Sequence, residues 1–224
     1  VSATEVLKNY GDNKFIAAKQ STIKGMTKAN YKTIDYDNDG DLDFFMMGDN
    51  RYGKGELQGY ENRGDGLFDP IDLKGIKHLR NGGFAIGDLT GNGLLDIVIT
   101  GSQYDGDDKA SFLCINKGGG DYRLKSLTPP MTNSMVEIFD IDNDGDLDFI
   151  ISGKTDWNYE KLLYIYKNNG SGSFVKIEKD EHGITGYADG NIYTIDYDLD
   201  GDTDFIIKGQ EQGSSYDTKI RLYD

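Results

Sequence analysis

Short apolar runs alternate with stretches rich in aspartate and glycine along the whole chain. Four runs define the rhythm: Phe44 to Met47, Ile97 to Ile99, Phe149 to Ile151 and Phe205 to Ile207. Each is too short for a helix, rich in β-formers and followed by Gly48, Gly101, Gly153 or Gly209, which predicts a strand closed by a glycine. Being apolar at successive positions, these strands are expected to be covered on both faces, as they would be between neighbouring sheets.

A nine-residue loop precedes each run. The first, Asp35 to Asp43, reads DYDNDGDLD, and it recurs as DLTGNGLLD from Asp88, DIDNDGDLD from Asp140 and DYDLDGDTD from Asp196. The starts are 53, 52 and 56 residues apart. A second marker keeps the same phase: Asn, any residue, Gly, a spacer and an aromatic. It appears at Asn9, Gly11 and Phe15, at Asn62, Gly64 and Phe68, at Asn116, Gly118 and Tyr122, and at Asn168, Gly170 and Phe174. Two markers holding one period identify tandem repeats, with units of about 20–72, 73–126, 127–178 and 179–224 and a partial unit over 1–19.

Each unit predicts four short strands. The first ends at the loop, the second leaves it, the third is partly alternating (Leu162 to Tyr166), and the fourth begins at the aromatic marker. The Asn-x-Gly element between the third and fourth supplies residues that tolerate positive φ, as a hairpin turn requires. Four antiparallel strands per roughly 50 residues is the arithmetic of a β-propeller blade, and the fold class expected is all-β. A β-sandwich would not explain the period. The repeat count leaves two architectures open. Strands at Thr4 to Asn9 and Lys14 to Lys19 precede the first loop, and the second of them could complete the last blade of a closed four-bladed ring. Otherwise the chain is a segment of a larger, seven-bladed array.

The loops carry the chemistry. Carboxylates at positions 1, 3, 5 and 9, with a glycine at 6 for the sharp turn, converge as oxygen ligands for a hard cation. Position 7 would offer its backbone carbonyl. The candidate ligands are therefore Asp35, Asp37, Asp39, Asp41 and Asp43; Asp140, Asp142, Asp144, Asp146 and Asp148; and Asp196, Asp198, Asp200, Asp202 and Asp204. The second loop offers Asp88, Thr90, Asn92, Leu94 and Asp96, with only two formal charges, and is expected to bind most weakly. An all-oxygen protein cage favours Ca2+ over Mg2+. An EF-hand is excluded, because position 12 is Met46, Ile99, Ile151 or Ile207 where a bidentate Glu is required.

Composition sharpens this picture. The net charge is −15, yet 17 of the 39 acidic residues lie inside the four loops, which contain no Lys or Arg. Outside them, 22 acidic residues face 24 basic ones. The acidity is clustered, and the absence of a basic stripe argues against a nucleic-acid partner. No apolar run approaches the ~20 residues of a membrane span, so no membrane insertion is expected. Residue 1 is Val without a charged-then-apolar leader behind it, so a signal peptide is expected to be absent or already removed. The lone Cys114 sits in an apolar stretch and reads as a core residue.

These loops and markers resemble the FG-GAP/VCBS repeat family, the calcium-bearing blades of integrin α-subunit propellers and of several secreted proteins. The resemblance covers Val6 to Asp224 and is weakest in the second loop. It implies a propeller with calcium in the hairpin between the first two strands of a blade, in a secreted or cell-surface setting.

Function beyond the scaffold is read from the loops between second and third strands. Each carries an aromatic among small polar residues: Tyr52, Tyr104, Trp157 and Tyr216. Such rings stack on sugars or anchor protein partners, which predicts a recognition module for glycans or cell-surface proteins. A structural module of a large adhesin or secretion assembly is the first alternative. A calcium-dependent polysaccharide lyase, using His78 with Arg80, or His182, is the second.

Overall fold

The computed structural model describes residues 4–17, 23–103, 108–155, 160–214 and 217–224. It begins with a hairpin of β1 (Leu7–Asn9) and β2 (Phe15–Ala17). Blade 1 follows as β3 (Thr27–Ile34), β4 (Asp43–Asp49), β5 (Gly55–Asn62) and β6 (Phe68–Ile71). Blade 2 is β7 (Phe84–Gly87), β8 (Asp96–Ser102), β9 (Lys109–Asn116) and β10 (Tyr122–Ser126), and blade 3 is β11 (Thr132–Phe139), β12 (Asp148–Lys154), β13 (Lys161–Asn168) and β14 (Phe174–Ile177). A single helical turn, α1 (Lys179–His182), leads into blade 4, formed by β15 (Tyr187–Ile195), β16 (Asp204–Glu211) and β17 (Thr218–Tyr223). Every pairing within a blade is antiparallel between chain neighbours. Four antiparallel sheets in a ring make a four-blade β-propeller.

The apolar runs lie in β4, β8, β12 and β16, and alternation splits each between two inter-blade cores. In blade 2, Ile97 and Ile99 pack toward Phe45 and Met47 of blade 1, whereas Val98 packs toward Phe149 and Ile151 of blade 3. Ile150 continues the series toward Phe205 and Ile207 of blade 4. Burial on both faces is thus observed for β8 and β12, as expected for inner strands. Cys114 is buried in the core between blades 1 and 2, where burial pushes its thiol up to about 12.

The structure corrects two strand-level expectations. Gly48, Gly101, Gly153 and Gly209 do not close the second strands, which run through them. At Gly48 an added Cβ would lie 2.8 Å from the Thr27 carbonyl oxygen, so the missing side chain permits close approach to the innermost strand. And β2 does not complete blade 4: it pairs with β1 in register Asn9↔Phe15, and Val6 packs on the face of blade 1 turned away from blade 2. The local hairpin closes a short loop and keeps the register of Asn62↔Phe68, Asn116↔Tyr122 and Asn168↔Phe174.

Innermost strands β3, β7, β11 and β15 surround a central cavity of about 320 Å³. Three of them carry an irregularity at one place, between Thr27 and Asn30, Thr132 and Met135, and Ala188 and Asn191. Lys28, Asn133 and Asp189 take positive φ there, as β-bulge residues that bend the strand at the cavity mouth. The boundary between blades 4 and 1 differs from the others. Among the described residues, no hydrophobic cluster joins them, and Ile206, Ile220 and Leu222 of blade 4 face away from blade 3.

Candidate metal centres and their surroundings

Each nine-residue loop is a β-hairpin turn folded around its own aspartates. The position 1 carboxylate accepts backbone N–H groups from positions 5 and 6: Asp35 from Asp39 (3.1 Å) and Gly40 (3.0 Å), Asp88 from Asn92 (3.0 Å) and Gly93 (2.7 Å), Asp140 from Asp144 (3.2 Å) and Gly145 (2.8 Å). Asp196 accepts from Gly201 at 3.3 Å. The position 5 side chain accepts from the amide of position 7 in all four loops, at 2.8–2.9 Å. The glycine at position 6 has φ between 80 and 94°, which only glycine adopts cheaply.

Position 4 also takes positive φ, and it is Asn38, Gly91, Asn143 and Leu199. Sequence reasoning passed over this signal, although three of the four residues are the types that tolerate it.

Position 9 is a buried clasp. Asp43 accepts from the amide of Asn62 through one oxygen (2.7 Å) and from that of Tyr36 through the other (2.6 Å). Asp148 does the same with Asn168 (2.6 Å) and Ile141 (3.0 Å), Asp96 accepts from Asn116 (2.8 Å), and Asp204 from Tyr197 (3.0 Å). The Asn marker thus works together with the loop: its amide group also donates to the carbonyl of Leu42, Leu95 or Leu147. At position 7 the side chains of Asp41 and Asp146 lean on Gly64 and Gly170 of the Asn-x-Gly turn. That leaves the backbone as the part of position 7 suited to a cation.

Carboxylate oxygens converge within 4.8 Å of one another in Asp35, Asp37 and Asp39; in Asp140, Asp142 and Asp148; and in Asp196, Asp198 and Asp204. Asp198 and Asp200 form a further group with Asp224, which by the register Phe205↔Tyr223 stands at the position of Glu61 and Lys167, one residue before the place of the Asn marker. These clusters could hold a metal ion. Asp37, Asp148 and Asp198 are pushed above the ordinary carboxylate range by desolvation and then by neighbouring aspartates, after allowance for their backbone hydrogen bonds. The second loop fits a cation in a different way. Asp96 is fully buried, its second oxygen has no hydrogen-bond partner, and the Leu89 amide that would correspond to Tyr36 donates to Gly87 instead. Burial raises Asp96 as well; Thr90 and Leu89 lie close enough to temper the shift without reaching hydrogen-bond geometry. Thr90 Oγ1 is likewise buried and unpaired.

Two residues just before the Asn marker face the loops and were missed. Lys167 pairs with Asp142 in the third loop. Glu61, at the same repeat position, has its carboxyl raised by desolvation and by Asp37, Asp43 and Asp39 of the first loop.

The repeat of the FG-GAP-like family matches residues 35–99, 88–151 and 140–207. The chain belongs to this family. Each FG-GAP match runs from one aspartate loop into the apolar strand after the next, so it contains two loops and, between them, the last three strands of one blade and the first strand of the following one. A search of curated proteins gives no match. Among solved structures, a thermostable family-43 glycoside hydrolase is similar, with 11% identity over 86% of this chain and 69% of that chain and a TM-score of 0.47. A likeness at that level carries no argument about this FG-GAP protein.

Of the loop aromatics, Tyr104, Trp157 and Tyr216 lie outside the described residues. Tyr52 is exposed, but the Arg51 guanidinium sits 4.6 Å from its ring centroid and covers one face. The histidines hold separate places. His78 borders a small depression with Asn50 and Glu56, while His182 lies on α1. Arg80 is committed to Asp49 (2.8 Å) and to the Gly53 carbonyl (2.8 Å). No described helix is long and apolar enough to cross a membrane.

Proposed function

We propose that this protein is an extracellular, calcium-clamped recognition module that binds glycans or cell-surface proteins without catalysing a reaction. The observation that carries the reading is the convergence of three carboxylates at 4.8 Å or less in three loops, with a buried, unpaired Asp96 oxygen in the remaining one. The donor set is oxygen only and supplied by the protein itself, which suits Ca2+ better than Mg2+ or a transition metal. Asp35, Asp37, Asp39 and Asp43 would hold one ion, Asp140, Asp142, Asp144 and Asp148 a second, and Asp196, Asp198, Asp200 and Asp204 a third. Asp88, Thr90, Asn92 and Asp96 would hold a fourth more weakly. The carbonyls of Asp41, Leu94, Asp146 and Asp202 complete the sets.

The role of the cation is to fasten the first two strands of each blade. Extracellular modules bind calcium with Kd of about 0.1–1 mM. At ~1 mM free calcium, a site with Kd near 0.1 mM adds about 1.4 kcal/mol. Several such sites are a large share of a margin of about 5–15 kcal/mol. Sites of that affinity would fill only where free calcium is near millimolar, which suits a secreted location. Against the lyase reading stands the engagement of Arg80 with Asp49 and Gly53.

The test is binding to glycan arrays and to intact cells in calcium and in a chelator. Calcium-dependent binding to either supports recognition; a folded, calcium-loaded protein that binds neither leaves a purely structural module.

A further inference from the structure

We propose that the central cavity is a binding site for a neutral oligosaccharide, with Tyr31 and Tyr193 as its stacking surfaces. This inference rests on the recognition reading and names where and what the protein recognises.

Both tyrosines line the cavity, on innermost strands β3 and β15. Tyr31 pairs with Met46 and lies 6.3 Å from Phe44 between ring centroids, which sets it on the face of blade 1 turned away from blade 2. Tyr193 pairs with Ile206, on the face of blade 4 turned away from blade 3. These faces flank the one boundary that lacks a shared core among the described residues, and the rings remain 71% and 56% exposed. Two large aromatics on innermost strands would ordinarily be covered in a propeller of packed blades.

The polar groups of the cavity complete a sugar site. Lys32 crosses from blade 1 to both carboxylate oxygens of Glu137 on blade 3, at 2.8 and 2.6 Å. The pair presents donor and acceptor atoms with no net charge, which selects against strongly ionic ligands. Asn191 adds an exposed side-chain amide, and Asn30, held by its bond to the Gly82 carbonyl (2.9 Å), keeps its side-chain oxygen as an acceptor. Saccharides match this set: their C–H faces lie on aromatic rings while their hydroxyls both donate and accept. The volume of about 320 Å³ lies at the small end of ligand pockets, which suits about one or two sugar rings.

The experiment is an array of neutral and acidic glycans probed with the full chain in calcium, followed by calorimetric titration of the best neutral hit. Tyr31→Ala and Tyr193→Ala should each weaken binding about tenfold or more, with Tyr10→Ala, an exposed ring in the β1–β2 hairpin away from the cavity, close to the parent. Thermal unfolding should be little changed, because both rings are exposed. Neutral hits indifferent to both tyrosines, or acidic hits alone, overturn the proposal. A blank array overturns it too: if calcium-dependent binding to cells persists, recognition survives without this saccharide site, and if that is also lost, the recognition reading falls with it.

Discussion

Lys167 forms an ion pair with Asp142, the position 3 aspartate of the third loop, and Glu61 occupies the equivalent place beside the first loop. One repeat position therefore delivers a cation to one candidate metal centre and a carboxylate to another. Hydrogen bonding to Asp142 raises the Lys167 ammonium above its usual range, so it is charged at any pH where calcium binds. Lys167→Met should tighten calcium binding at the third loop by up to about fivefold, because an exposed pair is worth about 0.2–1 kcal/mol and its loss frees the carboxylate for the site. Glu61→Gln should weaken the first. Titration calorimetry of both variants checks the direction.

The position 9 aspartates should stabilise the fold even without metal. Asp148→Ala leaves the buried amide of Asn168 and the half-buried amide of Ile141 unpaired and should cost about 3 kcal/mol. For a chain of this size that lowers Tm by roughly 6–12 °C. The measurement is thermal unfolding of metal-free protein. A variant that loses stability only in calcium would show that Asp148 acts as a ligand alone.

Leu199 stands at position 4 of the fourth loop with φ of 62° and is 85% exposed. The left-handed region costs an ordinary residue about 1–2 kcal/mol, and asparagine less. Leu199→Asn, matching Asn38 and Asn143, should stabilise by about 0.5–1 kcal/mol and raise Tm by roughly 1–4 °C. Unchanged or lower Tm would argue against strain at this turn.

The four repeats, their strand order and the loop clusters were legible from the sequence because apolar periodicity and aspartate spacing are local signals repeated four times, whereas closure of the ring at four blades was left open. The Asn-x-Gly marker was seen, but its link to position 9 was not, since Asp43 and Asn62 meet only after the hairpins fold. The same holds for Lys167 and Glu61, which read as ordinary strand residues. The partner of β2 was left open because the repeat pattern makes strand four interchangeable among blades, and only chain geometry chooses β1. Tyr31 and Tyr193 share a cavity across the ring, a relation that no sequence period records.

The pH dependence follows from the loop carboxyls. Asp37, Asp96, Asp148 and Asp198 lie above their ordinary value of 3.8 in the metal-free chain. The folded chain then holds more protons than the unfolded one above about pH 3.8, so their contribution to stability falls as pH rises through the raised values. Calcium removes that penalty by requiring the charged form. The calcium-induced rise in Tm should therefore grow between about pH 4 and 7, as measured on metal-free protein with and without added calcium. A rise that is constant with pH would contradict the sign.

The most direct test of calcium-clamped blades is titration calorimetry of the metal-free protein with calcium, paired with thermal unfolding. The account predicts three stronger sites and a weaker fourth lost in Asp96→Asn, with Tm rising as the sites fill. Absence of binding at millimolar calcium, with Tm unmoved by calcium or chelator, would contradict it.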